Sequence, residues 1–149
     1  MKEYLKSLKI IHIALSVGVA SFIAIVYFLQ TIGGLGIYDE TLSSVFMILV
    51  PLTAFISPSV GVLLFNKSMK EMKVNDYSLE EKKQNHKSAY IVKLALIEGA
   101  AFFAIVAFML ITDYVFLIMA GVVLIFLIIQ HPTDYRLSED FDIDPKEFL

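Results

Sequence analysis

The chain of 149 residues contains no cysteine and no tryptophan, and only 18% of its residues are charged. The lack of cysteine excludes disulfides, thiolate metal sites and a cysteine nucleophile. Soluble domains are about 25% charged and ~45–50% apolar, whereas 58% of this chain is hydrophobic and its mean hydropathy is +0.75. This composition argues against a water-soluble domain and excludes a disordered chain. The net charge of −3 argues against a nucleic-acid partner.

The sequence contains four long apolar stretches, at residues 10–29, 45–65, 90–111 and 114–130. Crossing a ~30 Å hydrocarbon core takes ~20 helical residues. Because lipid offers no hydrogen bonds to the backbone, each stretch is expected to be an α-helix. The predicted fold class is all-α, an integral membrane four-helix bundle in one domain (1–149). A polar loop (66–88) joins spans two and three, and an acidic, solvated tail covers 132–149.

The positive charges predict how this bundle is oriented. The chain has 12 Lys and Arg residues, and the connections 30–44 and 112–113 contain none of them. The positive-inside rule therefore places both termini and the 66–88 loop in the cytoplasm. We expect a multi-pass protein of a bacterial inner (plasma) membrane. The apolar run of the first span continues through Leu29, so we expect an uncleaved first helix rather than a signal peptide. Aromatic belts are predicted at the inner boundary (Tyr4, Tyr90, Tyr135) and at the outer one (Tyr27, Tyr38, Tyr114).

The connections carry local signals of helix ends. Ser78 and Glu81 form a capping-box pattern, which predicts a helix that begins at Leu79 and continues into the third span. The second span is expected to extend through Lys73. Residues 112–113 are too short a connection for anything but a tight antiparallel hairpin of spans three and four. The 66–88 loop is a candidate contact surface for a partner or for anionic lipid headgroups.

Spans one and three share a sequence pattern at a shift of 81 residues, in which Ala14 and Gly18 align with Ala95 and Gly99. A repeat of this kind predicts two tandem helical hairpins related by an axis along the membrane normal. Each pair is also a small-xxx-small motif, which permits close approach of helices. We interpret the two motifs as packing positions, either within the bundle or between protomers.

Glu98 is the one acidic side chain well inside a predicted span. A charged carboxylate at mid-helix facing lipid costs at least ~2.5–3.5 kcal/mol, so Glu98 is expected to face the bundle or a protomer interface. Intramembrane acids commonly serve proton or ion transfer. The alternative is a protonated side chain that binds a neighbouring helix as structural glue.

Residues expected at a similar depth in the membrane, or between Glu98 and the inner surface, are candidate partners of this carboxyl group. The predicted ion- or proton-binding set is Glu98, Ser57, Ser59, His12 and Ser16. Pro51 and Pro58 free the carbonyls of Met47 and Ala54, which makes span two a kinked helix with spare acceptors. His12 and Ser16 lie one turn apart and form a possible relay. Under the alternative interpretation His12 sits at the headgroup boundary, the prolines are structural, and Lys93 extends toward the inner surface.

Other chemistry finds little support in the sequence. A haem or quinone site near His12 and His131 is a minor alternative. Asp140, Asp142 and Asp144 alternate like a calcium loop, but the glycine that such a loop requires is missing. No catalytic set, metal-binding histidine pair or phosphate loop is present, so we expect no enzyme, no metal and no cofactor.

The stretch Ala95–Leu110 places Glu98 before small residues, an aromatic pair and an aliphatic run, and it resembles the carboxylate helix of the rotary ATPase proteolipid (c) subunit. The resemblance implies a reversible proton or sodium carrier at Glu98 in an oligomeric ring. It is local, because span two has Pro51 and Pro58 where that family has a glycine repeat. The whole chain resembles small four-span bacterial membrane proteins.

Two functional hypotheses follow from these observations. The first is a non-enzymatic membrane protein, an accessory or oligomeric component that meets the lipid bilayer and either further copies of itself or a membrane-protein partner. The second is proton or cation translocation through Glu98.

Overall fold

The computed structural model describes residues 1–34, 36 and 39–144. Its helices are α1 (Lys2–Thr31), α2 (Glu40–Val74), α3 (Leu79–Ile111), α4 (Tyr114–Ile129) and α5 (Asp134–Phe141). This part of the chain contains no strand, and the predicted all-α fold class is confirmed. The predictions for Tyr38 and for residues 145–149 of the tail lie outside the described residues.

Helices α1, α2 and α3 are each long and apolar enough to cross a membrane. Helix α4 has 16 residues, or about 24 Å at 1.5 Å per residue. It would count as a fourth span together with α5, from which it is bent by 68°. Large apolar side chains cover the outside of the bundle, and Phe55, for example, is 74% exposed. Long apolar helices with an apolar exterior fit a membrane protein.

Helix α3 forms the centre of the bundle. It packs against α1, α2 and α4, and both α1 and α2 also contact α4. Within the apolar window of α3, 44% of the residues are buried, against 17% in α1 and 22% in α2. Small side chains on α3 let the neighbouring helices approach it closely. Four of its alanines are buried: Ala100, Ala101, Ala104 and Ala107.

Helices α1 and α3 run side by side in the same direction. Their contacts lie at separations of 78 to 82 residues. The pairs along their length are Tyr4 with His86, His12 with Tyr90, Phe22 with Phe102, and Gln30 with Met109. This register includes the sequence shift of 81, so positions aligned in the two helices lie at the same level. Gly18 is thus level with Gly99.

The helix ends agree with the local sequence signals. Ser78 and Glu81 form the predicted capping box, and α3 begins at Leu79. Helix α2 runs through Lys73 to Val74 and is continuous across Pro51 and Pro58. Thr112, in the left-handed conformation at φ 61°, ends α3, and Asp113 caps α4. We call the end that holds the N-terminus, the α2–α3 connection and α5 the basic end.

Helices α2 and α3 come into close contact at Gly61. A Cβ atom at Gly61 would lie 3.1 Å from the carbonyl oxygen of Lys93. Nearby, the hydroxyl of Ser57 donates to the carbonyl of Leu96 across the same interface at 2.7 Å. The absence of a side chain at Gly61 therefore lets the two backbones meet.

The prediction of a solvated tail is wrong for residues 134–141, which form α5. Leu137 and Phe141 are one turn apart and both are buried against the basic end of the bundle. The ring of Phe141 packs against the rings of Tyr4 and His86. The acidic composition concealed this apolar edge, which is enough to dock the helix.

Candidate functional site

Glu98 lies near the middle of the apolar stretch of α3 and is half-buried. Within the described residues it makes no hydrogen bond and no ion pair. The register between α1 and α3 places it about level with Gly18, which leaves open space beside α1. A carboxyl group at mid-depth is thus left without a hydrogen-bond or ion-pair partner in the part of the chain that the structure describes.

The predicted serine partners of Glu98 bond elsewhere. Ser57 donates to the carbonyl of Leu96 at 2.7 Å. Ser59 donates to the carbonyl of Phe55 in its own helix at 2.6 Å. The structure therefore does not bring Ser57 or Ser59 together with Glu98.

The predicted relay residues His12 and Ser16 lie on the side of α1 that meets α4. Both line a small recess together with Ile128 and His131. The Ser16 hydroxyl is buried and has no hydrogen-bond partner. The rings of His12 and His131 touch edge to face, with centroids 5.3 Å apart, so no gap for a cofactor separates them. None of the described contacts joins this group to Glu98.

The small-residue motifs do not pack within the bundle. Ala14, Gly18, Ala95 and Gly99 are exposed, and a Cβ atom at either glycine would meet nothing within 4 Å. We call these four residues, with Glu98, the Glu98 face. Because the four small residues have no bulky side chains, the backbone of another helix can approach this face closely.

A buried polar network ties α1, α3 and α5 together at the basic end. The Tyr4 hydroxyl lies 2.8 Å from His86 Nδ1 and 2.9 Å from the carbonyl oxygen of Lys83. His86 Nε2 lies 3.0 Å from the Asp140 carboxylate. Burial, and then the negative charge of Asp140, raise the pKa of Tyr4. Tyr4 therefore stays a neutral donor at physiological pH.

The number of hydrogen bonds in this network depends on how many protons the Tyr4 hydroxyl and the His86 ring carry. Tyr4 has one hydroxyl proton and faces two acceptors, the Lys83 carbonyl and, if it is unprotonated, His86 Nδ1. All three contacts are satisfied together when His86 carries both ring protons, because it then donates to Tyr4 and to Asp140. With a neutral ring, one of the three bonds is lost.

A second tyrosine–histidine pair repeats the bridge in the opposite sense. The Tyr90 hydroxyl of α3 lies 3.1 Å from Nδ1 of His12 in α1, and 3.2 Å from the carbonyl oxygen of Gln130. Both pairs lie between the same two helices. Tyr4 and Tyr90 thus serve as interior hydrogen-bonding groups, which an assignment to the membrane boundary alone did not capture.

Lys93 is a buried cation beside this network. Its side chain is 7% exposed, and its ammonium lies 4.1 Å from the centre of the Phe65 ring and 4.9 Å from that of Tyr90. It donates to the Gln130 side chain at 3.4 Å. It makes no ion pair in the described part of the chain, with Glu98 or any other acid.

Lys93 and Arg136 line a cavity of about 180 Å³ at the basic end. Asn66, Gln130, Asp140 and Glu139 supply further polar groups to its wall. Val62 belongs both to this cavity and to an apolar groove of about 530 Å³ between α2 and α4. The polar cavity and the apolar groove are thus neighbours on either side of Val62.

Sequence reasoning missed His86 and the role of Asp140. The available signal was the spacing of His86, Tyr90 and Lys93, which places three polar side chains on one helical face as it enters the membrane. The second signal was the pair Leu137 and Phe141, which marks an amphipathic turn in the tail.

Comparisons of the chain with protein-family models, curated proteins and solved structures give no match. The described residues also contain no group of three or more His, Cys, Asp or Glu side chains that could hold a metal ion.

Proposed function

We propose that this protein is a non-enzymatic membrane component that works as an oligomer, with the Glu98 face as the surface between copies. The single observation that carries the proposal is that Glu98 has no hydrogen-bond or ion-pair partner among the described residues of its own chain. A polar group facing lipid is costly, and a second helix can offer it a carbonyl or hydroxyl. Association of two chains would satisfy the carboxyl group.

The surroundings of Glu98 support this role. Gly18 and Gly99 have open space where a side chain would stand, so another backbone can come close without displacing any group. Small residues are the usual contact positions between membrane helices, because packing rather than a hydrophobic drive holds such helices together. A different membrane protein could use the same surface, and that is an outcome of the test below.

Blocking the surface tests the proposal. Gly18→Leu and Gly99→Leu fill open space and leave the bundle core untouched. Gly121→Leu is the matched control, since it too adds a side chain at a helical glycine with open space. We expect wild type and Gly121→Leu to form oligomers in lipid nanodiscs, and the two blocking variants to be monomers. A monomeric wild type would refute self-association, and a defined hetero-complex would replace it.

A second candidate function is proton or cation translocation through Glu98, and the same unpartnered carboxyl favours it. The resemblance of Ala95–Leu110 to the proteolipid helix gives it further support. Proteoliposomes that hold wild type or Glu98→Gln should then differ in ion flux under an imposed gradient. Equal flux would eliminate this candidate while leaving the oligomer proposal intact.

The orientation belongs to the same proposal. We place the basic end in the cytoplasm of a plasma-membrane protein, supported by the lack of Lys and Arg in the connections 30–44 and 112–113. Because the chain has no cysteine, single cysteines introduced in place of Asn75 or Thr112 can be tested for reaction with a reagent added outside whole cells. Only the cysteine at 112 should react with a membrane-impermeant reagent, and the reverse would overturn the orientation.

A further inference from the structure

We propose that the cavity at the basic end and the groove between α2 and α4 together hold one phospholipid, with its phosphate in the cavity and an acyl chain in the groove. Val62 lines both spaces, so they lie side by side, and one amphiphile that passes over Val62 would reach both. This site is distinct from the Glu98 face and does not depend on the function proposed above.

The cavity provides the cations that a phosphate needs. Lys93 is almost fully buried and forms no ion pair in the described part of the chain. The rings of Phe65 and Tyr90 hold its ammonium at the cavity wall. A buried cation with no described carboxylate within ion-pair distance is costly, and a bound anion offsets that cost.

Arg136 provides a second cation at the same wall. Its Nη1 donates to the carbonyls of Ile129 and His131 at the end of α4, at 3.1 and 3.3 Å, which fixes the guanidinium beside the cavity. A planar guanidinium has five N–H donors, so others remain for a phosphate oxygen. Basic pockets between membrane helices are a known mode of headgroup binding.

The acids of the cavity narrow the choice of headgroup. Asp140 lies 3.0 Å from His86 and Glu139 is exposed. His86, the neighbour of Asp140, precedes Lys93 by seven residues of α3, about 10 Å along the helix axis. Lys93 therefore lies toward the membrane, and Asp140 lies toward water. This order favours a phosphodiester with one negative charge over a phosphomonoester with two, because the acids repel additional negative charge.

The groove has the composition of an acyl-chain site. Its lining includes Phe55, Pro58, Val122 and Phe126. Ser59 is the one described lining residue with a polar side chain. Val122 is 61% exposed, so the groove opens laterally toward lipid. A chain lying there would remain continuous with the surrounding bilayer.

Native mass spectrometry of the full-length protein with phosphatidylglycerol tests the site, with diacylglycerol as the probe that lacks the phosphate. We expect wild type to retain one phosphatidylglycerol after delipidation and to release diacylglycerol. Lys93→Gln should weaken the retention of phosphatidylglycerol about tenfold, because it removes one charge-assisted hydrogen bond to the phosphate. Lys70→Gln, an exposed lysine at the same end, is the matched control and should match wild type.

A second variant keeps the test independent of any effect of Lys93 on folding. Val122→Trp adds bulk at an exposed position of the groove and leaves the cavity untouched, so it should weaken retention while the unfolding temperature stays the same. Equal retention by Lys93→Gln and Lys70→Gln would overturn the proposal. Equal retention of phosphatidylglycerol and diacylglycerol would overturn it as well.

Discussion

The Tyr4 hydroxyl lies 2.8 Å from Nδ1 of His86, and this contact fastens the start of α1 to α3. Tyr4→Phe keeps the ring and removes the bond, which leaves a buried ring nitrogen without its partner. We expect a loss of about 1–3 kcal/mol in the free energy of unfolding. Tyr135→Phe, at a tyrosine that is 71% exposed, should leave stability unchanged. Denaturant titration of both variants in detergent decides the point, and equal stabilities would contradict the network.

Gly61 is the position where we expect packing to be least tolerant. A Cβ atom there would lie 3.1 Å from the backbone oxygen of Lys93, and a backbone atom cannot move aside as a flexible side chain can. Gly61→Val should cost about 1–3 kcal/mol through overpacking. Gly121→Val meets open space and serves as the control. If both valines lower the unfolding temperature equally, α2 and α3 are not in the close contact described.

Docking of α5 depends on its apolar edge. Phe141 packs on Tyr4 and His86 with ring centroids 5.9 and 5.1 Å apart. Phe141→Ala should therefore release α5, and amide hydrogen exchange over 134–141 should lose its protection while α1–α4 keep theirs. Tyr135→Ala, on the exposed side of α5, should preserve protection. Protection that survives Phe141→Ala would contradict the claim that the Phe141 ring is needed to dock α5.

The capping box at Ser78 gives α3 a pH-dependent start. The hydroxyl of Ser78, and then its backbone amide, donate to Glu81 and lower the pKa of that carboxyl group. Because the folded pKa lies below the unfolded one, about 4.3 for glutamate, the cap stabilises the helix fully above that pH. The contribution disappears as the pH falls through the lowered value.

Amide exchange in the first turn of α3, corrected for intrinsic rates, measures this effect. Wild-type protection should drop between pH 7 and pH 3. Glu81→Gln should show weaker protection that varies less with pH. A wild-type first turn that is equally protected at both pH values would show that the cap contributes nothing.

Much of the fold could be predicted because its causes are local. The capping residues Ser78 and Glu81 fix the start of α3, and the two-residue link at Thr112 leaves no alternative to a hairpin. Apolar length likewise predicts the spans. The centre of the bundle could not be read this way, because α1, α2 and α3 are all apolar on every side, and periodicity does not indicate which one is surrounded.

The polar network escaped prediction because it joins residues about 80 positions apart. Tyr4 and Tyr90 have the composition and placement of boundary tyrosines, and only the parallel register of α1 and α3 brings them to His86 and His12. The close contact at Gly61 was not predicted for a similar reason. Its enclosure depends on how α2 packs against α3, which the sequence pattern does not show, whereas the motifs at Gly18 and Gly99 lie on the surface of the bundle.

The most direct test of the proposed function is disulfide cross-linking in native membranes, which the cysteine-free chain makes possible. Ala95→Cys places a thiol on the Glu98 face, and Val122→Cys places one on the exposed surface of α4. We expect mild oxidation to give a covalent dimer with Ala95→Cys and none with Val122→Cys. A dimer with Val122→Cys alone, or with neither variant, would contradict the claim that copies of this protein meet through Glu98.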